Sequence, residues 1–157
     1  MTKTDNSTIA PVKKRIVVPC GPQAAFDTFA RNLSAWWPGD HSTAAMNGGK
    51  PKAVVLEPQK GGRLYEVAMD DSETEWGSVR EWEDGKRLVL NWHIGRPAED
   101  TTTVEVTFTA ADGGTEVVLV HSDFERMGDD GPGMRDGYDG GWVNVFENHY
   151  ANAAKAA

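Results

Sequence analysis

Between Ala53 and Ser122 apolar and polar residues alternate with a period of two, and turn residues interrupt the alternation at short intervals. The alternation predicts strands at Ala53–Glu57, Arg63–Met69, Glu75–Trp82, Arg87–Ile94, Thr102–Ala110 and Thr115–Ser122. Their separators are Gly61-Gly62, Asp70-Asp71-Ser72, Asp84-Gly85, Gly95 to Asp100 and Asp112-Gly113-Gly114. Asp-Gly pairs between alternating runs signal tight hairpins, so the pattern predicts an antiparallel meander. An earlier Val- and Ile-rich strand, Val12–Val18, stops at Pro19. Pro22 then suits the first turn of a helix, and Ala25, Phe26, Phe29, Ala30 and Leu33 follow at helical spacing. A short helical piece, Leu33–Trp37, is closed by Pro38. Residues His41–Lys52 and Glu125–Gly141 read as loops rich in glycine. Trp142–Lys155 reads as a helix with Trp142, Val145, Phe146, His149 and Ala153 on one face.

The order is strand, one or two short helices, six strands, long helix. One layering buries every apolar face: a curved antiparallel sheet of about six to seven strands wrapped around the C-terminal helix, an α+β helix-grip architecture. Residues 1–10 are polar and read as a disordered tail, leaving 11–157 as a single domain.

Charge narrows the partners. Sixteen basic against twenty-four acidic residues give a net charge of −8, which argues against nucleic acid and against an anionic membrane surface. The single cysteine, Cys20, excludes an intrachain disulfide and any multi-cysteine metal site. His41, His93, His121 and His149 are scattered without metal-ligand spacing, so no metal and no cofactor are expected. The longest unbroken apolar run is Val117–Val120, and no signal-peptide pattern is present; the cytoplasm is the expected compartment, as monomer or homodimer.

Six tryptophans in 157 residues are the compositional oddity. Strand parity puts Leu88, Leu90, Trp92 and Ile94 on one face, and Thr115, Val117, Leu119 and His121 on one face. If both faces meet the helix, Trp92 and His121 point into one apolar space, the usual character of a small-ligand pocket. Trp36 and Trp37 lie about 100° apart on a helix, so one packs inward and the other lines the cavity mouth. His41 stands close enough to close that mouth. Trp142 and Phe146 contribute aromatic surface from the long helix. The predicted ligand site is therefore Trp36, Trp37, His41, Trp92, His121, Trp142 and Phe146, beneath the 41–52 loop. Acid–base work would need His121 with Asp123, joined by Tyr65 or Glu66.

Several phrases carry a family resemblance. Val17-Val18-Pro19 leads into Pro22–Phe29; Trp36-Trp37-Pro38 follows the short helix; Gly48-Gly49 precedes a strand. Trp76-Gly77-Ser78-Val79, Arg87–Trp92, Gly113-Gly114-Thr115, Val118–His121 and Gly141-Trp142 complete the series. Over roughly residues 12–155 the order and spacing resemble the SRPBCC (START-like, helix-grip) superfamily. Within it they resemble the bacterial proteins related to the C-terminal domain of the activator of the heat-shock-protein-90 ATPase. The length leaves no room for the separate N-terminal domain of the activator co-chaperones, and the 126–140 segment is longer and richer in glycine than the pattern needs. The resemblance implies a cavity between sheet and helix that holds an apolar small molecule. It also leaves two other classes open: a cyclase- or hydrolase-like enzyme using His121, and a co-chaperone-like interaction protein, for which the sequence itself gives no support.

Overall fold

The computed structural model describes residues 9–157. The Val/Ile alternations become seven strands: β1 (Val12–Val18), β2 (Ala53–Leu56), β3 (Arg63–Val67), β4 (Glu73–Glu83), β5 (Arg87–Trp92), β6 (Thr102–Ala111) and β7 (Gly114–Ser122). They form one antiparallel sheet in the order β1-β7-β6-β5-β4-β3-β2. The first strand therefore closes onto the last, while β2 to β7 follow as the expected meander. Gly85 (φ 76°) and Gly113 (φ 80°) sit in the two Asp-Gly turns in left-handed conformations that other residues adopt at a cost.

Three short helices, α1 (Pro22–Phe29), α2 (Leu33–Trp36) and α3 (Thr43–Met46), connect β1 to β2. Phe26 and Phe29 of α1 pack edge-on against Phe108 of β6, with ring centroids 5.2 and 6.1 Å apart. α3 lies inside the stretch expected to be a loop; Ser42 caps it, its Oγ accepting from the Ala45 amide at 3.1 Å.

The concave face of the sheet holds Leu88, Leu90 and Trp92 of β5, Val104, Val106 and Phe108 of β6, and Val117, Leu119 and His121 of β7, all buried. The parity of β5 and β7 is as expected. In β4 strict alternation breaks down, because the pairing register shifts opposite Leu64/Tyr65 and again between Val79 and Glu81. Each bulge turns the alternation over. Trp76 is consequently fully buried and Trp82 packs on Phe26 at 4.9 Å, while Arg80 between them is exposed.

The C-terminal helix starts eleven residues before its expected position. A 3₁₀ segment, Phe124–Asp130, leads into α4 (Gly131–Trp142), a π-helical stretch (Val143–Tyr150) and α5 (Ala151–Lys155), which run on as one helix. Five glycines in α4 conceal it from propensity reasoning. Pro132 in the first turn and the packing of Met134, Tyr138 and Trp142 on the core offset their cost. The π-helical stretch inserts one residue into the periodicity. The buried face accordingly reads Trp142, Val145, Phe146, Tyr150 and Ala154, one position later than the predicted His149 and Ala153. His149 is exposed.

Of the predicted N-terminal tail, residues 1–8 lie outside the described residues. Ile9 and Ala10 are tied down: the Ile9 amide donates to Glu125 Oε2 at 2.6 Å, and the Ala10 carbonyl accepts from Arg135 Nε at 3.1 Å.

Candidate functional site

A cavity of about 300 Å³ lies where the long helix, the end of β5 and the segment from α2 to α3 meet. β5 and its continuation supply Trp92 and Ile94. The segment from α2 to α3 supplies Trp37, Asp40, His41, Ser42 and Met46. The helix supplies Gly133, Met134, Gly137, Tyr138, Gly141, Trp142 and Val145. Met46 is 72% exposed, so the cavity meets solvent beside α3.

Its walls are aromatic faces. The Trp37 ring lies 5.8 Å from Trp92 and 6.1 Å from Trp142, and Trp92 lies 5.4 Å from Trp142. Each of the six indole N–H groups donates to a partner inside the protein. Trp36 bonds Thr28 O (2.7 Å), Trp37 bonds His41 O (2.8 Å), and Trp76 bonds Glu66 Oε1 (3.0 Å). Trp82 bonds Asp84 Oδ1 (3.3 Å), Trp92 bonds Tyr138 Oη (3.2 Å), and Trp142 bonds His121 Nδ1 (3.0 Å). With their polar edges occupied, the three that line the cavity, Trp37, Trp92 and Trp142, present π surface to it.

Four of the seven expected site residues line the cavity: Trp37, His41, Trp92 and Trp142. Three do not. Trp36 packs between Phe29 (5.4 Å) and Tyr150 (5.4 Å), on the core side of its helix. Phe146 is fully buried and stacks on Tyr150 at 5.5 Å. His121 shares the concave face with Trp92 but does not line the cavity; its ring packs against Phe124 and Tyr138, each at 4.5 Å.

The chemistry of His121 follows from its partners. Nδ1 accepts from the Trp142 indole, so Nε2 carries the proton and donates to Thr102 Oγ1 at 2.7 Å. The Thr102 hydroxyl in turn donates to the Trp92 carbonyl at 2.9 Å. Burial lowers the His121 pKa to about 3, so the ring is neutral with every hydrogen-bonding position filled. Its expected carboxylate partners are engaged elsewhere: Asp123 accepts from Thr103 Oγ1 at 2.5 Å, and Glu66 lies on β3.

Glu66 is a buried carboxylate that shapes the cavity without lining it. It is 2% exposed and accepts from Thr43 N (2.8 Å), Thr43 Oγ1 (2.7 Å), Ala44 N (2.9 Å) and the Trp76 indole. Burial would raise its pKa, but these four donors outweigh that and hold it below the usual carboxylate range. Glu66 thus pins the first turn of α3, and with it Ser42 and Met46, to the sheet. Glu66→Ala is expected to cost about 1–3 kcal/mol through orphaned donors. Hydrogen exchange should show the Thr43 and Ala44 amides accelerating first. Unchanged exchange there would remove Glu66 from this role.

Reading from the sequence misses the helix wall. Once the helix is extended to Gly131, Gly133, Gly137 and Gly141 fall at i, i+4 and i+8, beside Met134, Tyr138 and Trp142 at the same spacing. The glycine row leaves space: a Cβ at Gly133 or Gly137 would meet nothing within 4 Å, and one at Gly141 would only touch His41 Cε1 at 3.9 Å. This spacing is visible in the sequence, but only to a reader already treating a glycine-rich run as helical.

Among the described residues no group of three His, Cys, Asp or Glu side chains is placed to hold a metal ion. Nor is any helix among them long and apolar enough to cross a membrane.

A family model described as Activator of Hsp90 ATPase homolog 1-like protein matches residues 22–148. The chain belongs to this family. No curated protein sequence matches it. Solved structures align along nearly its whole length. CalC, a self-sacrificing resistance protein from Micromonospora echinospora, is 25% identical with a TM-score of 0.70, covering 94% of this chain and 95% of that one. Txn09, an anthrahydroquino-γ-pyrone synthase, is 27% identical with a TM-score of 0.63, covering 94% and 98%. An AHSA1-like protein from Aeromonas hydrophila is 16% identical with a TM-score of 0.62, covering 93% and 92%. The fold of this AHSA1-like chain is the helix-grip fold that the sequence pattern implies.

Proposed function

We propose that this AHSA1-like protein binds a flat, apolar small molecule in the cavity between sheet and helix and acts as a binder of that molecule. The observation that carries the reading is the wall itself: three tryptophan rings around about 300 Å³ of space, their N–H groups turned to protein partners. That volume is at the small end of ligand pockets, and its mostly apolar lining is their usual character. The glycine row adds weight. Three helical glycines cost about 2–3 kcal/mol relative to alanine, and what they provide is room against the cavity. Two neighbours support the reading by analogy: one is a self-sacrificing resistance protein, and the other an anthrahydroquino-γ-pyrone synthase. We place the protein in the cytoplasm, in keeping with its one free cysteine.

The enzyme reading built on His121 lacks geometry, since the ring is neutral, fully engaged and off the cavity. The co-chaperone reading needs an apolar outer face on the sheet. That face carries Arg15 paired with Glu116, and Arg87 paired with Glu83 and Glu105.

Gly137→Leu tests the binding reading through two opposite effects. The helix should gain about 0.5–1 kcal/mol, raising Tm by a few degrees, because glycine is replaced where a Cβ meets nothing. Affinity for an apolar probe such as fluorene, read from tryptophan quenching, should fall at least tenfold as the side chain fills the slot. Native mass spectrometry of freshly purified wild-type protein should show a co-purified small molecule. A wild-type protein that neither carries a ligand nor binds fluorene would sink the reading.

A further inference from the structure

The cavity wall contains a hydrogen-bond donor that no described residue uses. Trp92 of β5 and Tyr138 of α4 both line the cavity, and the Trp92 indole N–H donates to the Tyr138 hydroxyl oxygen at 3.2 Å. The phenol's own proton has no acceptor within hydrogen-bond distance among the described residues, whereas the Ser42 hydroxyl on the same wall is spent on Gly39 O at 2.6 Å. The Tyr138 ring is held on three sides, by His121 at 4.5 Å, Phe124 at 6.0 Å and Trp142, nearly parallel to it, at 6.5 Å. Its hydroxyl is therefore fixed in place, and accepting from Trp92 polarises its O–H bond, making it a better donor. Burial raises the Tyr138 pKa, so the phenol keeps its proton at neutral pH.

Resting on the binding reading above, we propose that Tyr138 is the specificity-determining residue of the cavity and that it donates a hydrogen bond to a carbonyl oxygen on a fused-ring ligand. Two features on the page combine to give that ligand class. The indole faces of Trp37, Trp92 and Trp142 accept a flat ring system but supply no donor to it. Tyr138 supplies one donor at the edge of that surface, which suits a ligand with an acceptor on its rim, as in an aromatic ketone or quinone. A ligand bearing a hydroxyl alone would gain less, and a pure hydrocarbon nothing.

The test compares 9-fluorenone with fluorene, which share a flat tricyclic frame and differ at the carbonyl. Wild-type protein should bind fluorenone about 3- to 10-fold more tightly than fluorene, the worth of one net hydrogen bond. Tyr138→Phe should erase that preference by weakening fluorenone binding more than fluorene binding, and leave the far-ultraviolet circular dichroism unchanged. The carbonyl stretch of ¹³C-labelled fluorenone should move to lower wavenumber in the wild-type complex, relative to the same compound in an apolar solvent. It should return in the variant. The wild-type band is decisive even if Tyr138→Phe fails to fold, because an unshifted band means no donor reaches the carbonyl. Equal affinities for both probes overturn the role of Tyr138 and leave the binding reading standing; no binding of either probe overturns both. A fluorenone preference that survives Tyr138→Phe and disappears in His41→Phe assigns the donor to His41 and overturns the proposal.

Discussion

Between pH 6.5 and pH 4.5 the folded protein is expected to lose about 2 kcal/mol of stability through His121 alone. The free imidazole titrates near 6.5, whereas burial lowers His121 to about 3 in the fold. Over this window the unfolded chain therefore takes up a proton that the folded chain refuses, and the balance moves toward unfolding as pH falls. Above pH 6.5 both states hold a neutral ring and the contribution is complete. Below about 4.5, the ordinary value for Glu, a second loss begins, because the Glu66 carboxylate, whose pKa is lowered in the fold, must be protonated there. Urea midpoints measured at half-unit intervals check the first window. His121→Gln, which retains an amide donor for Thr102, should flatten the slope between pH 6.5 and 4.5 while lowering stability at pH 7. A slope that survives in this variant would assign the acid sensitivity to other groups.

Trp142→Ala should destabilise the protein by about 3–5 kcal/mol, the usual cost of deleting a buried aromatic. Trp142 is 2% exposed and lies where the helix meets the sheet, although one of its faces borders the cavity. A loss below about 1 kcal/mol would show that the hollow absorbs the change. Trp142→Phe separates packing from hydrogen bonding. It keeps most of the apolar area and leaves His121 Nδ1, which is wholly buried, without its donor. That orphaned acceptor should cost about 1–3 kcal/mol. A double-mutant cycle with His121→Gln then measures the coupling directly, because the two side chains share one hydrogen bond and no solvent.

These effects rest on a face of the sheet that the sequence already displays. Trp92 and His121 point the same way because a strand has a strict period of two, and each sits in a run with no bulge. Trp76 was illegible for the converse reason. A bulge opposite Leu64/Tyr65 adds a residue to its strand, and nothing in Glu73–Glu83 announces where the insertion falls. The helix wall of the cavity was hidden twice over. Five glycines in twelve residues argue locally for a loop, and only contacts across the domain, from Met134, Tyr138 and Trp142, make the segment helical. Eight residues of π-helical winding then move Tyr150 and Ala154 into the positions that regular spacing gives to His149 and Ala153. Trp36 and Trp37 were separable in principle, one inward and one at the mouth. Which was which depended on Trp37 N–H reaching the His41 carbonyl, a contact set by the turn after Pro38.

The same tryptophan cluster makes the molecule its own optical antenna. Trp36 lies 5.8 Å from Trp37, Trp37 lies 5.3 Å from Trp76 and 5.8 Å from Trp92, and Trp92 lies 5.4 Å from Trp142. At such separations an excitation absorbed by one indole migrates among all five before it is emitted. Trp36 and Trp76 never touch the cavity, yet their light passes through rings that do. A single occupant beside Trp37 would therefore darken the emission of the whole cluster, to which Trp82, packed on Phe26 at 4.9 Å, does not belong.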